Sequence, residues 1–320
     1  MSTSPDILVV GGGPAGLTAA AAAAQAGASV LLVDEHDRLG GQLHYRVQPV
    51  VAAEAEPAVR PAELRETLIT EAANAGAVLQ AGVIAAGWYP GGKVLLVDGD
   101  AARVVMPQAL IVASGSTDLP FPFKGATLPG VFTARAMQIL LNQWRVRPGL
   151  RFAVVGSGSE AEDVAVDIVL AGGEVVCQGV APAHLLRATG ADGVREFQVG
   201  DERYEVDCVV IAMGRQPDAS LGVMAGAELG FGPQLGGLAP LLSPDLQAAP
   251  GVFVAGDAAG AGSVAVAVAE GRLAGLAAAL SLGHSAEAEL VRARELGGEE
   301  LRWRAEQREA LRAVHAQPYH

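Results

Sequence analysis

The opening stretch from Ile7 to Asp34 leaves few folds open to this chain. Ile7-Leu8-Val9-Val10 is a short apolar run rich in β-branched residues, followed by Gly11-Gly12-Gly13-Pro14-Ala15-Gly16, an alanine-dominated helical stretch from Leu17 to Gln25, and a second apolar run, Ser29 to Val33, that ends at Asp34. Strand, glycine turn, helix and strand make a βαβ unit, and uninterrupted apolar strands of this kind are buried on both faces in a parallel sheet. Gly27 is placed to end the helix as a left-handed cap. The glycines read GxGxxG, and their position after a strand and at the start of a helix turns a weak pattern into a dinucleotide fingerprint. In that reading Gly11 permits the tight turn, Gly13 lets backbone approach a diphosphate, and Gly16 lets helix and strand pack closely, while the helix N-terminus, opened by Pro14 and Ala15, offers free N–H groups to the phosphates. Asp34 lies 23 residues beyond Gly11, where a carboxylate accepts from ribose hydroxyls; Glu35 is the competing candidate.

Further along, a proline-rich loop around Pro49 to Pro61 precedes a predicted helix from Ala62 to Asn74. Short strands near Val83–Trp88, Lys93–Val97 and Arg103–Met106 then read as a meander, and Ala109 to Ala113 returns as a buried strand closed by Ser114-Gly115. The plan then repeats. Phe152 to Val155 opens a second strand–turn–helix unit through Gly156-Ser157-Gly158-Ser159-Glu160-Ala161 to Ala171. Between Glu174 and Met213 only 39 residues are left for the rest of this half, so the second nucleotide-binding-like domain is predicted to be shortened. The strand Val252 to Ala255 leads through Gly256-Asp257 into an alanine-rich helix from Ser263 to Leu280. The segment from Ala286 to Val314, with Glu/Arg pairs at helical spacing and Leu290, Leu296, Leu301, Trp303 and Leu311, reads as helical and surface-lying. The expected division is a discontinuous nucleotide-binding domain over 1–117 and 245–284, a shortened domain over 118–244, and a helical extension over 285–320.

Composition removes several classes of function. With 22 Lys+Arg against 35 Asp+Glu, the net charge of −13 repels nucleic acid and anionic lipid surfaces. The apolar stretch from Ile7 to Ala24 is broken by glycines and Pro14 and follows no basic segment, so neither a signal peptide nor a membrane span is expected there. Cys177 and Cys208 stand 31 residues apart with no CxxC. That excludes a local dithiol motif or thiolate metal site and favours the cytoplasm. Six scattered histidines lack metal-ligand spacing, so no metal site is expected. No nucleophile elbow and no acid/base pair stands out, and no catalytic residue is assigned. His44 and Tyr45, beside Gly40-Gly41-Gln42, read as ordinary surface residues ahead of contacts to a cofactor ring. The second motif, GxGxxA, promises another dinucleotide. However, its following strand ends in Gln178-Gly179, with neither an acid for a ribose nor a base for a 2′-phosphate, and Glu160 and Glu162 bring negative charge to the helix end. A degenerate, mainly structural site is favoured over real NAD(P) binding. Asp257 after Gly256 is either a grip on a sugar hydroxyl or a helix cap.

Taken together, GGGPAGL at Gly11, the strand and acid at Val30–Asp34, GGQL at Gly40, ASGS at Ala113, the GxGxxA at Gly156 and GDAAG at Gly256 resemble the two-dinucleotide flavoprotein superfamily of thioredoxin-reductase-like size. Two longer strings, DEHDRLGGQLHYR from Asp34 and PFKGATLPGVFTARAMQILL from Pro122, are similar to the α subunits of flavin-dependent, dye-linked amino acid, proline and opine dehydrogenases, a group that includes hydrogen cyanide synthase and sarcosine oxidase components. The resemblance implies an α/β fold of two Rossmann-like domains, the second inserted and shortened. It also implies FAD held by Gly11, Gly13, Pro14, Ala15, Gly16, Asp34 or Glu35, Gly41, Gln42, Val83, Ala113, Ser114, Gly115, Gly256, Asp257 and Val264. ATP or NAD is the alternative occupant of the same site.

The function so implied is that of an electron-transfer subunit of a multi-subunit dehydrogenase that oxidises a C–N bond. Its expected partners are a small iron-sulfur protein and a flavoprotein β subunit. The alternatives are a stand-alone NAD(P)H-dependent flavin reductase without CxxC, passing electrons to a ferredoxin or quinone, and a non-catalytic binder with a vestigial cleft.

Overall fold

A computed structural model describes residues 4–52, 57–295 and 298–315. Leu296 and part of the proline-rich loop lie outside the described residues. In chain order the first unit contributes β1 (Ile7–Val10), α1 (Pro14–Gln25), β2 (Val30–Asp34), a 3-10 turn (Gly41–His44), α2 (Pro61–Asn74), β3 (Val78–Ala81), β4 (Val83–Tyr89), β5 (Lys93–Asp98), β6 (Ala101–Val105) and β7 (Ala109–Val112). After the linking strand β8 (Ser116–Asp118) come β9 (Val131–Thr133), α3 (Ala134–Gln138), β10 (Arg151–Gly156), α4 (Ser159–Leu170), β11 (Glu174–Gly179), β12 (Leu186–Thr189), β13 (Glu196–Val199), β14 (Glu202–Glu205) and β15 (Cys208–Ala212). The chain closes with β16 (Arg215–Pro217), α5 (Ser220–Met224), β17 (Leu229–Gly232), β18 (Gly237–Pro240), β19 (Gln247–Ala249), β20 (Val252–Val254), α6 (Val264–Ser281), α7 (Glu287–Glu295) and α8 (Gly298–His315).

Two compact units result, one of Met1–His44, Pro49–Thr117 and Gln216–His320, the other of Tyr45–Gln48 and Asp118–Arg215. The first is built on a six-stranded sheet in the order β19-β20-β7-β1-β2-β3, parallel except for β19, with the antiparallel meander β4-β5-β6 beside it. The apolar strands predicted at Ile7, Val30, Ala109 and Val252 are its centre, and Ile7, Leu8, Leu32, Leu110, Ile111 and Val254 are fully buried. α1 ends as the sequence indicates: Gly27 has φ +97°, its N–H donates to Ala24 O, and Ala28 N–H donates to Ala23 O, which together form a Schellman cap. The second unit repeats the plan on four parallel strands, β11-β10-β15-β9. The 39 residues beyond Glu174 hold an antiparallel meander, β12-β13-β14.

The return to the first unit comes at Gln216, earlier than the 244/245 boundary read from sequence. Leu221 of α5, Leu242 and Leu246 belong to the first core, and a Cβ on Gly222 would be in ordinary contact with Val254 Cγ2 at 3.6 Å. The described residues from 285 to 315 are likewise no separate extension. Leu290 and Ala293 of α7 enter the first core, Leu311 of α8 packs with Leu235 and Ala239, and Arg304 and Arg308 of α8 are buried. The segment is helical and lies at the surface as expected, with most of its described residues exposed and one face of it packed on the first unit. Individual Glu and Arg residues at helical spacing look alike in sequence whether they meet water or a buried partner.

α6 is long and apolar enough by composition to cross a membrane, but two-thirds of its most apolar window, 67%, is buried within the protein. It is the core helix against which α1 lies. Cβ atoms at Gly271 and Gly275 would approach Ala15 O and Ala19 O to 2.1 and 2.3 Å, so these glycines let the two helix backbones touch.

Candidate functional site

The N-terminus of α1 carries the geometry that its motif predicts. Gly11 has φ +110°, and a Cβ there would lie 2.2 Å from Ala113 O; a Cβ on Gly16 would lie 1.8 Å from Gly11 O. Both glycines are thus required by backbone packing. Gly13 is different: it sits in extended backbone, and among the described residues a Cβ there would meet only Gly41 Cα, at 3.9 Å. The helix has no side-chain cap and Pro14 is its first residue. The N–H groups of Ala15 and Gly16 precede the first intrahelical bond, Leu17 N to Gly13 O at 3.0 Å, and remain available to an anion. A diphosphate fits this set of donors and this space.

Asp34 does more than the sequence indicates. Its Oδ2 accepts from Gly12 N at 2.5 Å and its Oδ1 from His36 N at 2.8 Å. It braces the glycine turn and, with four acceptor positions in a carboxylate, still has capacity for a sugar hydroxyl. Glu35 is exposed. The Gly40-Gly41-Gln42 turn packs directly on the motif: Gly40 N–H donates to Gly12 O at 2.7 Å, and a Cβ on Gly41 would lie 2.9 Å from Gly13 Cα. Behind it His44 is a strut. Its Nε2 lies 2.8 Å from Leu39 O and its Nδ1 3.2 Å from Arg65 Nη1, so the tautomer that satisfies both donates from Nε2 and accepts at Nδ1. Gln42 is half-buried on the same turn.

Three further segments meet the end of the parallel sheet. Val83, buried, opens β4 opposite Asp98. The Ala113-Ser114-Gly115 strap leaves β7 with Ala113 N–H on Val10 O, and is held from the other side by Asp218, whose N–H donates to Gly115 O at 3.0 Å and whose carbonyl accepts from Ser114 Oγ. Asp257 is buried; its Oδ2 accepts from Ser116 Oγ at 3.0 Å and its Oδ1 from Gly262 N at 3.1 Å. It joins the strap to the loop before α6. Gly256 has φ +69°, and a Cβ there would lie 2.6 Å from Ala15 Cβ, while Val264 begins α6 behind the cap of Ser263. Sequence reasoning missed Asp218, Arg65 and Glu270. Only Glu270 had a signal, as the one acid of the alanine-rich helix α6.

The second motif keeps the turn, but the first turn of its helix carries two acids, Glu160 and Glu162. Gly156 repeats Gly11, with a Cβ that would lie 1.9 Å from Ala212 O, and Gly158 has φ +77°. At the position of Ala15, however, stands Glu160, whose carboxylate lies 3.7 Å from Arg215 Nε. Burial raises its pKa, and Asp118 adds to that effect against the pull of Arg215 and Arg135. Gln178 and Gly179 end β11 exposed. The two thiols are not poised for redox chemistry: burial pushes Cys177 up to about 11 and Cys208 up to about 12, and both are free.

The comparison with known families settles the class, because the pyridine nucleotide-disulphide oxidoreductase model matches residues 5–192, more than half of the chain. The chain belongs to that family. Membership makes it a nucleotide-binding oxidoreductase of the flavoprotein type. It is 27% identical to an opine oxidase subunit of Rhizobium meliloti (strain 1021), over 90% of this chain and 74% of that protein. It is 32% identical to the alpha subunit of sarcosine oxidase of the same strain, over 53% of this chain and 18% of that one. Among solved structures, L-proline dehydrogenase from P. horikoshii superposes with a TM-score of 0.76 at 25% identity, over 90% of this chain and 58% of that chain. The chain thus spans three-quarters or less of the length of these relatives.

Proposed function

We propose that this chain is the FAD-binding, electron-transfer subunit of a hetero-oligomeric dehydrogenase or oxidase that oxidises the C–N bond of an amino acid or opine. The observation that carries this reading is the contrast between Ala15 and Glu160. At the first helix N-terminus the free N–H groups have no acidic side chain in the turn beside them, whereas the first turn of α4 carries Glu160 and Glu162. At its repeat, a carboxylate paired with Arg215 occupies the equivalent position and repels a diphosphate. The names of the relatives, subunits of opine and sarcosine oxidases, support the substrate class and the assembly.

In this reading Gly11, Gly13, Pro14, Ala15 and Gly16 take the diphosphate, and Asp34 or Glu35 the ribose. Gly41, Gln42, Val83, Ala113, Ser114, Gly115, Gly256, Asp257 and Val264 hold the remainder. Bound there, FAD supplies a carrier of two electrons. The protein holds and orients it, and substrate oxidation falls to a β flavoprotein, with an iron-sulfur protein as a further partner. The two free cysteines support a cytoplasmic setting.

The test is spectroscopic. The purified chain is expected to take up FAD with a flavin absorption spectrum and to keep that spectrum on anaerobic mixing with NADH or NADPH. Bleaching by either nucleotide instead establishes the stand-alone reductase, a reading that the preserved turn at Gly156 and Gly158 keeps open. A protein that stays colourless with FAD yet binds ATP or NAD assigns the first site to an adenine nucleotide. Co-purification of a second flavoprotein, identified by mass spectrometry, tests the assembly.

A further inference from the structure

Four buried charges gather behind the Gly256–Gly260 loop. Glu270 of α6 is fully buried, and Arg304 and Arg308 of α8 are 1% and 5% exposed. Glu270 Oε2 accepts from Gly256 N at 3.0 Å, and its Oε1 lies 2.6 Å from Arg308 Nη2 and 3.2 Å from Arg304 Nε. The arginines also reach the loop itself: Arg304 Nη2 donates to Gly260 O at 2.6 Å and Arg308 Nη2 to Ala259 O at 3.2 Å. With the buried Asp257 on the loop, the two acids and two bases sum to zero charge. Among the described residues the remaining buried charged side chain, Asp167, lies in the second unit.

Burying so many ionised groups is expensive, and an apolar cluster of equal volume is commonly as stable or more so. Here the charges define a shape. One carboxylate oxygen fixes the amide of Gly256, two guanidinium groups fix the carbonyls of Ala259 and Gly260, and Gly260 has φ +138°, with a Cβ there 2.9 Å from Arg304 Nη2. The loop so fixed carries Asp257 on one side, reaching Ser116, and packs Gly256 on Ala15 at the start of α1. We infer that Glu270, Arg304 and Arg308 are positioning residues for the first nucleotide site, and that α8 is an integral part of that site. This inference rests on the proposed FAD reading.

The experiment compares the wild-type protein with R304M, R308M and their lysine counterparts R304K and R308K. FAD affinity is read by titration of flavin fluorescence, and the circular dichroism of the bound flavin by spectroscopy. Far-UV circular dichroism is recorded in parallel as a check on folding. With native far-UV spectra, the methionine variants are expected to bind FAD at least tenfold more weakly and to alter the flavin dichroism. The lysine variants, which keep the charge, are expected to recover part of both. Lower thermal stability with unchanged affinity and unchanged flavin dichroism overturns the inference and leaves the FAD reading intact. If a methionine variant does not fold, its lysine counterpart carries the test: wild-type affinity and dichroism in that variant overturn the inference, and a weaker, altered complex supports it. A wild-type protein that binds no FAD overturns the FAD reading and the inference with it.

Discussion

At the scale of single residues, the three motif glycines do separable jobs, because each would place a Cβ in a different environment. Gly16→Ala forces a Cβ to 1.8 Å from Gly11 O and is expected to cost about 1–3 kcal/mol as overpacking, with cofactor affinity lost alongside. Gly13→Ala meets nothing nearer than 3.9 Å in a backbone conformation that alanine adopts. Its stability is expected to change by less than ~0.5 kcal/mol, while FAD binding weakens by about tenfold, or ~1.4 kcal/mol. Thermal denaturation of the apo-protein and a flavin titration check both arms; equal loss in the two variants would contradict the assignment of Gly13 to the ligand. In the second unit, Asp207 Oδ2 accepts from Leu150 N at 2.7 Å and from Arg151 N at 3.0 Å, and these bonds hold its carboxyl below the usual carboxylate range. A depressed folded-state pKa means that the contribution is present above the unfolded value, near 4, and is lost as the pH falls through the folded one. Asp207→Ala is therefore expected to destabilise by about 1–3 kcal/mol at neutral pH, and the difference from wild type should shrink in urea titrations carried out in acid.

At the scale of elements, α1 and α6 are joined by small residues rather than by interlocking large ones. Gly271→Ala and Gly275→Ala each drive a Cβ into the α1 backbone, with an expected cost of about 1–3 kcal/mol. Because α1 begins at the glycine turn, Gly271→Ala is also expected to weaken nucleotide binding more than Gly275→Ala, whose contact lies a turn further from the site; parallel flavin titrations of the two variants decide it. Glu270→Gln leaves Arg304 and Arg308 buried without their acid and is expected to cost about 3–5 kcal/mol, measurable as a lower midpoint in chemical denaturation. A cost below about 1 kcal/mol would mean that the carboxylate contributes little to holding α8.

At the scale of the whole molecule, the two units have separate cores, each organised on its own parallel sheet. Calorimetry is expected to resolve two transitions. Saturating FAD should raise only that of the first unit, by about 2.7 kcal/mol at a hundredfold excess over the dissociation constant, and Asp207→Ala should lower only that of the second. A single transition shifted by both treatments would instead show that the units unfold together. The net charge of −13 adds an expectation for assembly: a complex with a basic partner face should weaken with salt, which analytical size exclusion at two ionic strengths reads directly.

What was legible in the sequence is what depends on local periodicity and backbone permissiveness. Wholly apolar four- and five-residue runs report strands buried on both faces, and glycines at fixed offsets report a turn that only glycine can make. The βαβ opening, its repeat at Phe152, the meander and the cap at Gly27 were therefore readable from the residues themselves. The tertiary structure alone decided the rest. It spent Asp34 and His44 on bracing the glycine turns, brought Asp218 to the strap at Ser114, returned the chain to the first unit at Gln216, and buried two arginines of α8 against Glu270. The physical reason is that a charged side chain has the same letter whether water or a distant carboxylate solvates it. For Arg304 and Arg308 that partner is Glu270, on another helix more than thirty residues away in the chain, and no local pattern encodes such contacts.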